Sequence, residues 1–333
     1  MDFSHLSEPN IRQQKTGLTP AQYDLYSHLG DHVSAIATHH KLSITHIKRF
    51  GDGRISATLD VTTSERRFVL KISAKDDLIA ETFFLKKART HGIPVPTVYL
   101  SDTTRTVIPF EYLFLEYING VNANDAPLPL QLKAAQEFGR QLARLHTRPS
   151  GGFGVIDAHD HFSANNWCTL LISSLRRTWQ QTDPKATTFT QVDQMAIEEL
   201  LRACEDMCNN FRPRLLHGDA GGDNVLVLAD HGGAFKGIAI IDPGTWIGGD
   251  PMQDLAFSQM SWHYQGFSEG VMQGYTKEQR LASEERERLE ILRIFNQYWG
   301  AMISEQRGWE RWRDEMLADA RASLAVYKKN NRL

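Results

Sequence analysis

The stretch that most restricts the fold of this chain is RLLHGDAGGDNVLV at residues 214–227. Two apolar runs flank a polar core, HGDAGGDN, which holds two aspartates, one asparagine and three glycines in eight positions. Taken alone, the core is typical of a tight turn between two strands, because Gly, Asp and Asn favour turns. The alternative is a loop that presents charged side chains to a ligand. Other segments of the chain favour this second interpretation.

The spacing of Asp219 and Asn224 is typical of a phosphoryl-transfer loop. Transfer to an alcohol requires a carboxylate that accepts the hydroxyl proton and ligands that hold magnesium against the triphosphate. The pattern Asp-x-x-x-x-Asn provides both, so we predict Asp219 as the base and Asn224 as a metal ligand. Gly221 and Gly222 allow the chain to bend tightly between Asp219 and Asn224.

A second carboxylate follows eighteen residues after Asn224, in the segment IAIIDPG, where Asp242 ends an apolar run. Alone, this aspartate is as consistent with a turn before Pro243 as with a ligand site. Paired with the upstream loop, it is better interpreted as the main magnesium-binding carboxylate. Magnesium prefers one or two protein carboxylates together with phosphate oxygens and water. Asp242 and Asn224 therefore suffice as its protein ligands.

A lysine in a strand-like run predicts a nucleotide-binding unit upstream. FVLK places Lys71 among β-branched and aromatic residues, where a lysine is commonly a surface residue. In the kinase arrangement such a lysine contacts the α- and β-phosphates and pairs with a glutamate on a helix. Glu81, in the helix predicted next, is the best candidate for that glutamate.

The candidate phosphate-covering loop is GDGR at residues 51–54, between the first two predicted strands. Gly51 and Gly53 would let the backbone approach the phosphates, and Ser56 would contact them. The alternative for this short segment is an ordinary hairpin turn.

The connection between the two halves of the chain is predicted in FLEYINGVNA, residues 114–123. It is an apolar strand that runs into a turn ending at glycine. At this position the backbone groups of Glu116 and Ile118 would face an adenine edge. A plain interdomain linker is the alternative.

The element pattern predicts an α+β chain of two lobes. Residues 1–117 form an N-terminal nucleotide-binding lobe, with one helix from Pro20, short antiparallel strands and a helix over residues 77–92. Residues 118–333 form a mainly helical catalytic and substrate-binding lobe with a small embedded sheet, with helices at 163–181, 190–210 and from about 252 to the end. Nucleotide sites favour the cleft between such lobes.

Composition excludes several partner classes. The formal charge of −3 over 333 residues gives no reason to expect nucleic acid as a partner. No apolar run approaches the roughly 18 residues of a membrane span, and the N-terminus lacks a signal-peptide pattern, so we expect a cytoplasmic protein. Cys204 and Cys208 lie four apart, but without a second pair they are better explained as buried thiols than as a zinc site.

These segments together resemble the aminoglycoside phosphotransferase and choline kinase-like family over roughly residues 40–300. The resemblance rests on five segments that occur in this order along the chain: IPVPTVYL, FLEYINGV, LHTRPSGGFG, HGDAGGDNVLV and IIDPGTWIGGDPMQDLA. It implies a bilobal, protein-kinase-like fold with an antiparallel-sheet N-lobe and a mainly helical C-lobe.

The resemblance also implies an activity and roles for single residues. Members phosphorylate hydroxyl groups of small molecules with ATP and magnesium. Asp219 would be the catalytic base, and His217 would hold the catalytic loop in shape. Asp250 and Asp254 would be structural carboxylates near the start of a helix, where its dipole favours them. The family's usual nucleotide loop is reduced here to GDGRISAT.

The acceptor stays open at the level of sequence. Residues 121–279 hold 18 aspartates and glutamates against 12 lysines and arginines, a mild acidity compatible with a cationic acceptor. An aminoglycoside or aminocyclitol and a metabolic sugar or amino alcohol are the alternatives, with ATP or GTP as donor. A protein kinase is disfavoured, because eleven residues between Asp242 and Asp254 leave no room for an extended activation segment. A non-catalytic nucleotide-binding module would normally have lost the lysine, the base or a metal ligand.

Overall fold

The N-terminal unit is built on one antiparallel sheet. The computed structural model describes residues 2–8, 18–51, 56–75, 77–181, 188–260 and 263–331. They divide into two compact units, Met1–Asn119 and Gly120–Leu333. The sheet of the first unit has the order β1-β2-β3-β5-β4, with every neighbouring pair antiparallel. Its strands are β1 (Ile44–Arg49), β2 (Ser56–Thr63), β3 (Arg67–Ser73), β4 (Val98–Asp102) and β5 (Glu111–Glu116).

Side-chain alternation explains how this sheet forms a core. On β2, Ala57, Leu59 and Val61 are buried on one face, as the period of two requires. They belong to one apolar cluster with the buried face of the N-terminal helices. Those helices are α1 (Pro20–Ser27) and α2 (Leu29–His39), and α3 (Leu78–Thr90) follows β3.

The predicted single helix from Pro20 is in fact two helices. It begins as expected, with Thr19 and Gln22 forming a capping box. The chain leaves helical geometry at His28, where φ is −119°. There both the amide and the ring Nδ1 of His28 contact the carbonyl of Asp24, at 3.1 and 3.2 Å. The contact of the His28 ring with the Asp24 carbonyl accompanies the break between α1 and α2. It depends on a side-chain geometry, which helical periodicity in the sequence does not report.

The C-terminal unit is mainly helical, as predicted, and carries two small sheets where the sequence predicted one. Their orders are β11-β10-β6 and β8-β7-β12-β9. The strands are β6 (Val121–Asn122), β7 (Phe153–Ile156), β8 (Phe162–Ala164), β9 (Arg214–Leu215), β10 (Val225–Ala229), β11 (Phe235–Ile240) and β12 (Gly248–Gly249). The helices are α4 (Leu128–Leu145), α5 (Trp167–Gln180), α6 (Gln191–Ala203), α7 (Glu205–Asn209), α8 (Met252–Phe257), α9 (Phe267–Glu278), α10 (Ser283–Arg307) and α11 (Glu310–Asn331).

Close packing of α4 against α9 frames this unit. A Cβ added to Gly139 would collide with the carbonyl of Val271, and one added to Gly274 would collide with the carbonyl of Gln136. Glycine at these two positions therefore lets the helix backbones approach each other. The helix predicted over 190–210 is interrupted at Cys204, which separates α6 from α7.

Two further findings concern the cysteines and the membrane. Cys168, Cys204 and Cys208 are all buried and all free thiols. Among the described residues, no helix combines the length and the apolar character needed to cross a membrane.

Candidate functional site

The two predicted metal ligands, Asn224 and Asp242, lie at the same end of the β10–β11 hairpin. Val225 pairs with Ile240 in antiparallel register, and the amide of Ile241 donates to the carbonyl of Asn224 at 3.0 Å. In an antiparallel pair, the residues just before one strand and just after the next are neighbours. The hairpin therefore places Asn224 beside the chain that enters Asp242.

Asn224 is fixed on Asp219 by two hydrogen bonds. Its Nδ2 donates to the Asp219 carboxylate Oδ2 at 3.0 Å and to the Asp219 carbonyl at 2.9 Å. The side chain of Asn224 is buried, in the short 3₁₀ turn Gly222–Asn224. Because the amide nitrogen is used on Asp219, the amide oxygen is the atom left to meet a cation.

The Asp219 carboxylate is unusually basic for an aspartate. Burial, followed by the charges of Asp223 and Asp242, raises the pKa of Asp219 to about 7, and the hydrogen bond from Asn224 acts against this shift. A general base is most effective when its pKa lies near the working pH. The environment of Asp219 is therefore suited to accepting a proton.

His217 connects the HGDAGGDN loop to the chain before Asp242. Its ring is completely buried; Nε2 lies 3.0 Å from the carbonyl of Ile241, and Nδ1 accepts the amide of Asp219 at 3.3 Å. Burial lowers the pKa of His217, so the ring is held neutral. Both ring nitrogens contact backbone groups, which is the geometry of a positioning residue.

Asp254, in the first turn of α8, holds the backbone of the HGDAGGDN loop through hydrogen bonds. Its Oδ2 accepts the amide of His217 at 2.7 Å and its Oδ1 accepts the amide of Gly218 at 2.8 Å. Nε2 of the buried His146 lies 3.0 Å from the same Oδ2. Burial alone would raise the pKa of Asp254, but the contacts with His146 and His217 hold it below its usual value. The ionised carboxylate thus satisfies the two amides that precede Asp219.

Asp250 performs a similar structural task at the entrance to α8. Its Oδ2 accepts Nε of Arg288 at 2.8 Å, and its Oδ1 accepts the amide of Met252 at 3.1 Å. Burial raises the pKa of Asp250, against the attraction of Arg288. The pair anchors α8 to α10.

Replacing Asp254 with alanine is expected to destabilise the C-terminal unit strongly. Two amides and an imidazole would lose their buried acceptor, a situation that typically costs about 3–5 kcal/mol of unfolding free energy. Urea denaturation of the full chain measures this loss. Asp230→Ala is the matched control, because the Asp230 carboxylate caps an exposed turn. A loss no larger than that of the control would contradict the supporting role of Asp254.

The backbone of Asp242 is strained. Its φ of 51° lies in the left-handed region, although it is not glycine and a proline follows. Beyond Pro243, the amide of Gly244 donates to the carbonyl of His217 at 2.8 Å, and a Cβ on Gly244 would collide with the carbonyl of Gly218. The two loops are therefore packed backbone against backbone. Strain of this kind is commonly found at functional sites.

In the N-terminal unit, Lys71 and Glu81 form a buried ion pair. Nζ of Lys71, on β3, lies 2.7 Å from Oε2 of Glu81, in the first turn of α3. The two residues are only 7% and 5% exposed. The alternative of a surface lysine is therefore wrong, and the strand lysine and the helix glutamate are brought together.

The remaining candidates for nucleotide contacts are described in part. Gly51 follows β1 with a φ of 50°, and Ser56 begins β2, whereas Gly53 lies outside the described residues. The amide of Glu116 already donates to the carbonyl of Thr97 at 2.9 Å. That amide is therefore not available to an adenine edge, and Ile118 is half-buried.

Sequence reasoning assigned no role to three side chains that lie near the HGDAGGDN loop or support it. Asp223 is exposed and its carbonyl accepts Nδ2 of Asn122 at 2.6 Å. His263 borders Gly221, and burial lowers its pKa. His146, described above, stands in the motif LHTRPSGGFG without any local sign of its partner. No local pattern identifies His263 as a neighbour of Gly221 either.

The aromatic residues that follow α8 belong mostly to the core. Phe267 is completely buried, and the hydroxyl of Tyr264 donates to the carbonyl of Gln131 at 2.9 Å. These contacts support packing over substrate binding for both residues. Trp262 lies outside the described residues.

A family model agrees with the motifs. The model described as "Phosphotransferase enzyme family" matches residues 46–292. A curated relative, KEOPS complex subunit Bud32 of Pyrococcus abyssi (strain GE5 / Orsay), is 33% identical over 72 residues. That match covers 22% of this chain and 32% of the relative, so it spans about a third of the relative's length.

Solved structures with the same fold cover almost the whole chain. Aminoglycoside phosphotransferase APH(4)-Ia has a TM-score of 0.68 at 16% identity, over 88% of this chain and 98% of its own. A putative fructosamine-3-kinase from Thermobifida fusca has a TM-score of 0.63 at 22% identity, over 87% and 98%. These similarities confirm the predicted kinase-like fold, an antiparallel-sheet unit followed by a mainly helical one.

Proposed function

The chain belongs to the phosphotransferase enzyme family, and on that premise we propose that it transfers the γ-phosphoryl group of ATP to a hydroxyl group of a small molecule. The observation that carries this proposal is the loop around Asp219. A carboxylate with a pKa raised to about 7 is held by Asn224, next to the segment that ends in Asp242. Asp219 accepts the proton of the acceptor hydroxyl as its oxygen attacks phosphorus.

Asn224 and Asp242 are the residues that would hold magnesium. An amide oxygen and a carboxylate are hard oxygen donors, and magnesium in phosphotransferases typically takes one or two protein ligands of this kind. When bound, the metal neutralises charge on the β- and γ-phosphate oxygens. His217 and Asp254 maintain the loop in the shape that presents Asp219 and Asn224.

Lys71 and Glu81 serve the donor. The buried pair holds the ammonium group of Lys71 in one position, from which it orders the α- and β-phosphates. Gly51, Gly53 and Ser56 would cover the phosphates, and the backbone carbonyl of Glu116 and the backbone of Ile118 would meet the base. ATP is the proposed donor, with GTP as the alternative.

The Lys71–Glu81 pair permits a test that separates stability from function. Lys71→Met leaves the Glu81 carboxylate buried without its cation, so we expect unfolding free energy to fall by about 3–5 kcal/mol and turnover to collapse. The double variant Lys71→Met/Glu81→Leu removes both charges and should recover much of that stability without recovering turnover. Urea denaturation and a steady-state assay measure the two effects. Full activity in the double variant would exclude a donor role for Lys71.

The acceptor is proposed to be an aminoglycoside, an aminocyclitol or a sugar-like compound. Asp223 is exposed on the catalytic loop, four residues after Asp219, where a carboxylate attracts an ammonium group. A thermostable mutant of APH(4)-Ia has been crystallised with ADP and hygromycin B, and APH(2'')-IIia with GDP and kanamycin. The likeness to a putative fructosamine-3-kinase keeps a metabolic sugar or amino alcohol as the alternative.

A substrate panel tests this proposal. Wild-type protein with ATP and magnesium is offered aminoglycosides, aminocyclitols, amino alcohols and free sugars, and ADP release is recorded for each. We expect release that depends on one acceptor class, and a higher KM for an amine acceptor in the Asp223→Asn variant. Asp230→Asn, which changes an exposed aspartate at a distant turn, is the control. ADP release at the same rate with every acceptor and in the absence of an acceptor would contradict the proposed transfer.

A further inference from the structure

A cavity of about 510 Å³ lies in the C-terminal unit, outside the machinery assigned to catalysis. It is lined by the end of α4, by the segment Phe211–Arg214 and by α10. Asp219, Asn224 and Asp242 are not among its lining residues. The segment reads FRPR and leads through β9 directly into the catalytic loop. The proposed function assigns no role to these arginines.

Four arginines line this cavity, and two of them are unpaired among the described residues. The exposed guanidinium groups of Arg144 and Arg212 have no hydrogen-bond or ion-pair partner in that part of the chain. Arg214 donates from Nη1 to the carbonyl of Thr147 at 3.0 Å. Arg288 is buried, bound to Asp250, and packed over the Phe211 ring at 5.1 Å. The guanidinium groups of Arg214 and Arg288 are therefore held by protein partners, and those of Arg144 and Arg212 are available to a ligand.

The acidic residues at the cavity do not match these charges. Two glutamates are among the lining residues, Glu278 and Glu285. Glu278 is bound by Nε of Arg140 at 3.1 Å, and Glu285 accepts the amide of Ala282 at 2.8 Å. Because Asp250 neutralises Arg288, the charges of Arg144, Arg212 and Arg214 remain against that of Glu285, and the lining is net positive. The region from 121 to 279 as a whole carries more acidic than basic residues. An uncompensated positive concavity attracts a small anion.

We propose that this cavity binds a small molecule bearing a phosphate group. The planar guanidinium group donates in pairs to phosphate oxygens, which an ammonium group does not. The volume falls within the range of sites for small metabolites. Arg144 and Arg212 supply the direct contacts, while Arg214 and Arg288 hold the positive wall in place. His146 also lines the cavity, so a bound anion lies one side chain away from Asp254, which supports the catalytic loop.

Titration of the full chain with inorganic phosphate and with pyrophosphate, by calorimetry at constant ionic strength, tests the proposal. The variants are Arg144→Ala/Arg212→Ala, the conservative Arg144→Lys/Arg212→Lys, and the control Arg311→Ala. Arg311 is exposed on α11 and paired with Glu315. We expect saturable binding to wild type and to the control, with affinity reduced by at least about tenfold in the alanine variant. The lysine variant should lie between them.

Three results would overturn the proposal. The first is no saturable binding of either anion to the wild type. The second is equal affinity in wild type and the alanine variant, which places the anion elsewhere, for example at Lys71. The third is an equal loss in the Arg311→Ala control, which indicates a general effect of charge. Thermal unfolding of each variant verifies that the fold is intact, as expected for two exposed arginines.

Discussion

Asp219→Asn is expected to lower turnover by about 10²–10⁴-fold, the usual contribution of a general base, while nucleotide affinity changes little. Asparagine keeps the shape of the side chain and one oxygen that can accept from Nδ2 of Asn224. It cannot take the proton of the acceptor hydroxyl. Because the loss arises in the chemical step, kcat should fall much more than the KM for ATP rises.

The measurement is a steady-state assay on the best acceptor, together with the dissociation constant of a nonhydrolysable ATP analogue. Asp230→Asn is the control, since Asp230 lies in the exposed turn between β10 and β11, on the same hairpin. Turnover of Asp219→Asn within a few-fold of wild type would show that another group is the base. A large loss of nucleotide affinity would indicate that Asp219 acts on the donor instead.

Asp242→Ala is expected to abolish magnesium-dependent turnover, because only Asn224 would then remain of the two proposed metal ligands. The change has a second effect. The φ of 51° at Asp242 is more costly for alanine than for aspartate or asparagine, so the alanine variant should also lose about 1 kcal/mol of unfolding free energy.

Asp242→Asn separates these two effects. Asparagine tolerates the left-handed backbone but carries no charge for the metal. We expect the asparagine variant to unfold like wild type and to need far more magnesium for any residual turnover. Magnesium titrations of the three proteins, followed by ADP release, make the comparison. Turnover that does not depend on a divalent metal in any of them would contradict the proposed role.

Local patterns in the sequence were sufficient to predict the kinase-like fold, the family and one ion pair. The strand and turn signals around β1 to β5 predicted the antiparallel sheet, and membership of the phosphotransferase family was recognised from HGDAGGDN and IDPG. Those two segments are informative because each carries its proposed functional residues within a few positions. The ion pair of Lys71 with Glu81 was also found, since the two lie ten residues apart on adjacent elements. The individual site roles stay predictions.

Long-range contacts account for most of what could not be predicted. His146 meets Asp254 across 108 positions of sequence, and no local feature of LHTRPSGGFG identifies that partner. The electropositive cavity likewise needs Arg144 and Arg212, which come from separate elements. The break at His28 was missed for a different reason, because its apolar neighbours keep helical spacing on both sides. Periodicity reports which face is buried and not where the backbone bends.

The most direct test of the central claim is identification of the product. Wild-type protein is incubated with ATP, magnesium and the acceptor that gives the highest ADP release, and the mixture is analysed by mass spectrometry and ³¹P NMR, with Asp219→Asn in parallel. We predict one phosphate monoester on an acceptor hydroxyl, formed in equal amount to ADP and strongly reduced in the variant. Inorganic phosphate as the only phosphorus product besides ADP, at equal rates in both proteins, would contradict the account.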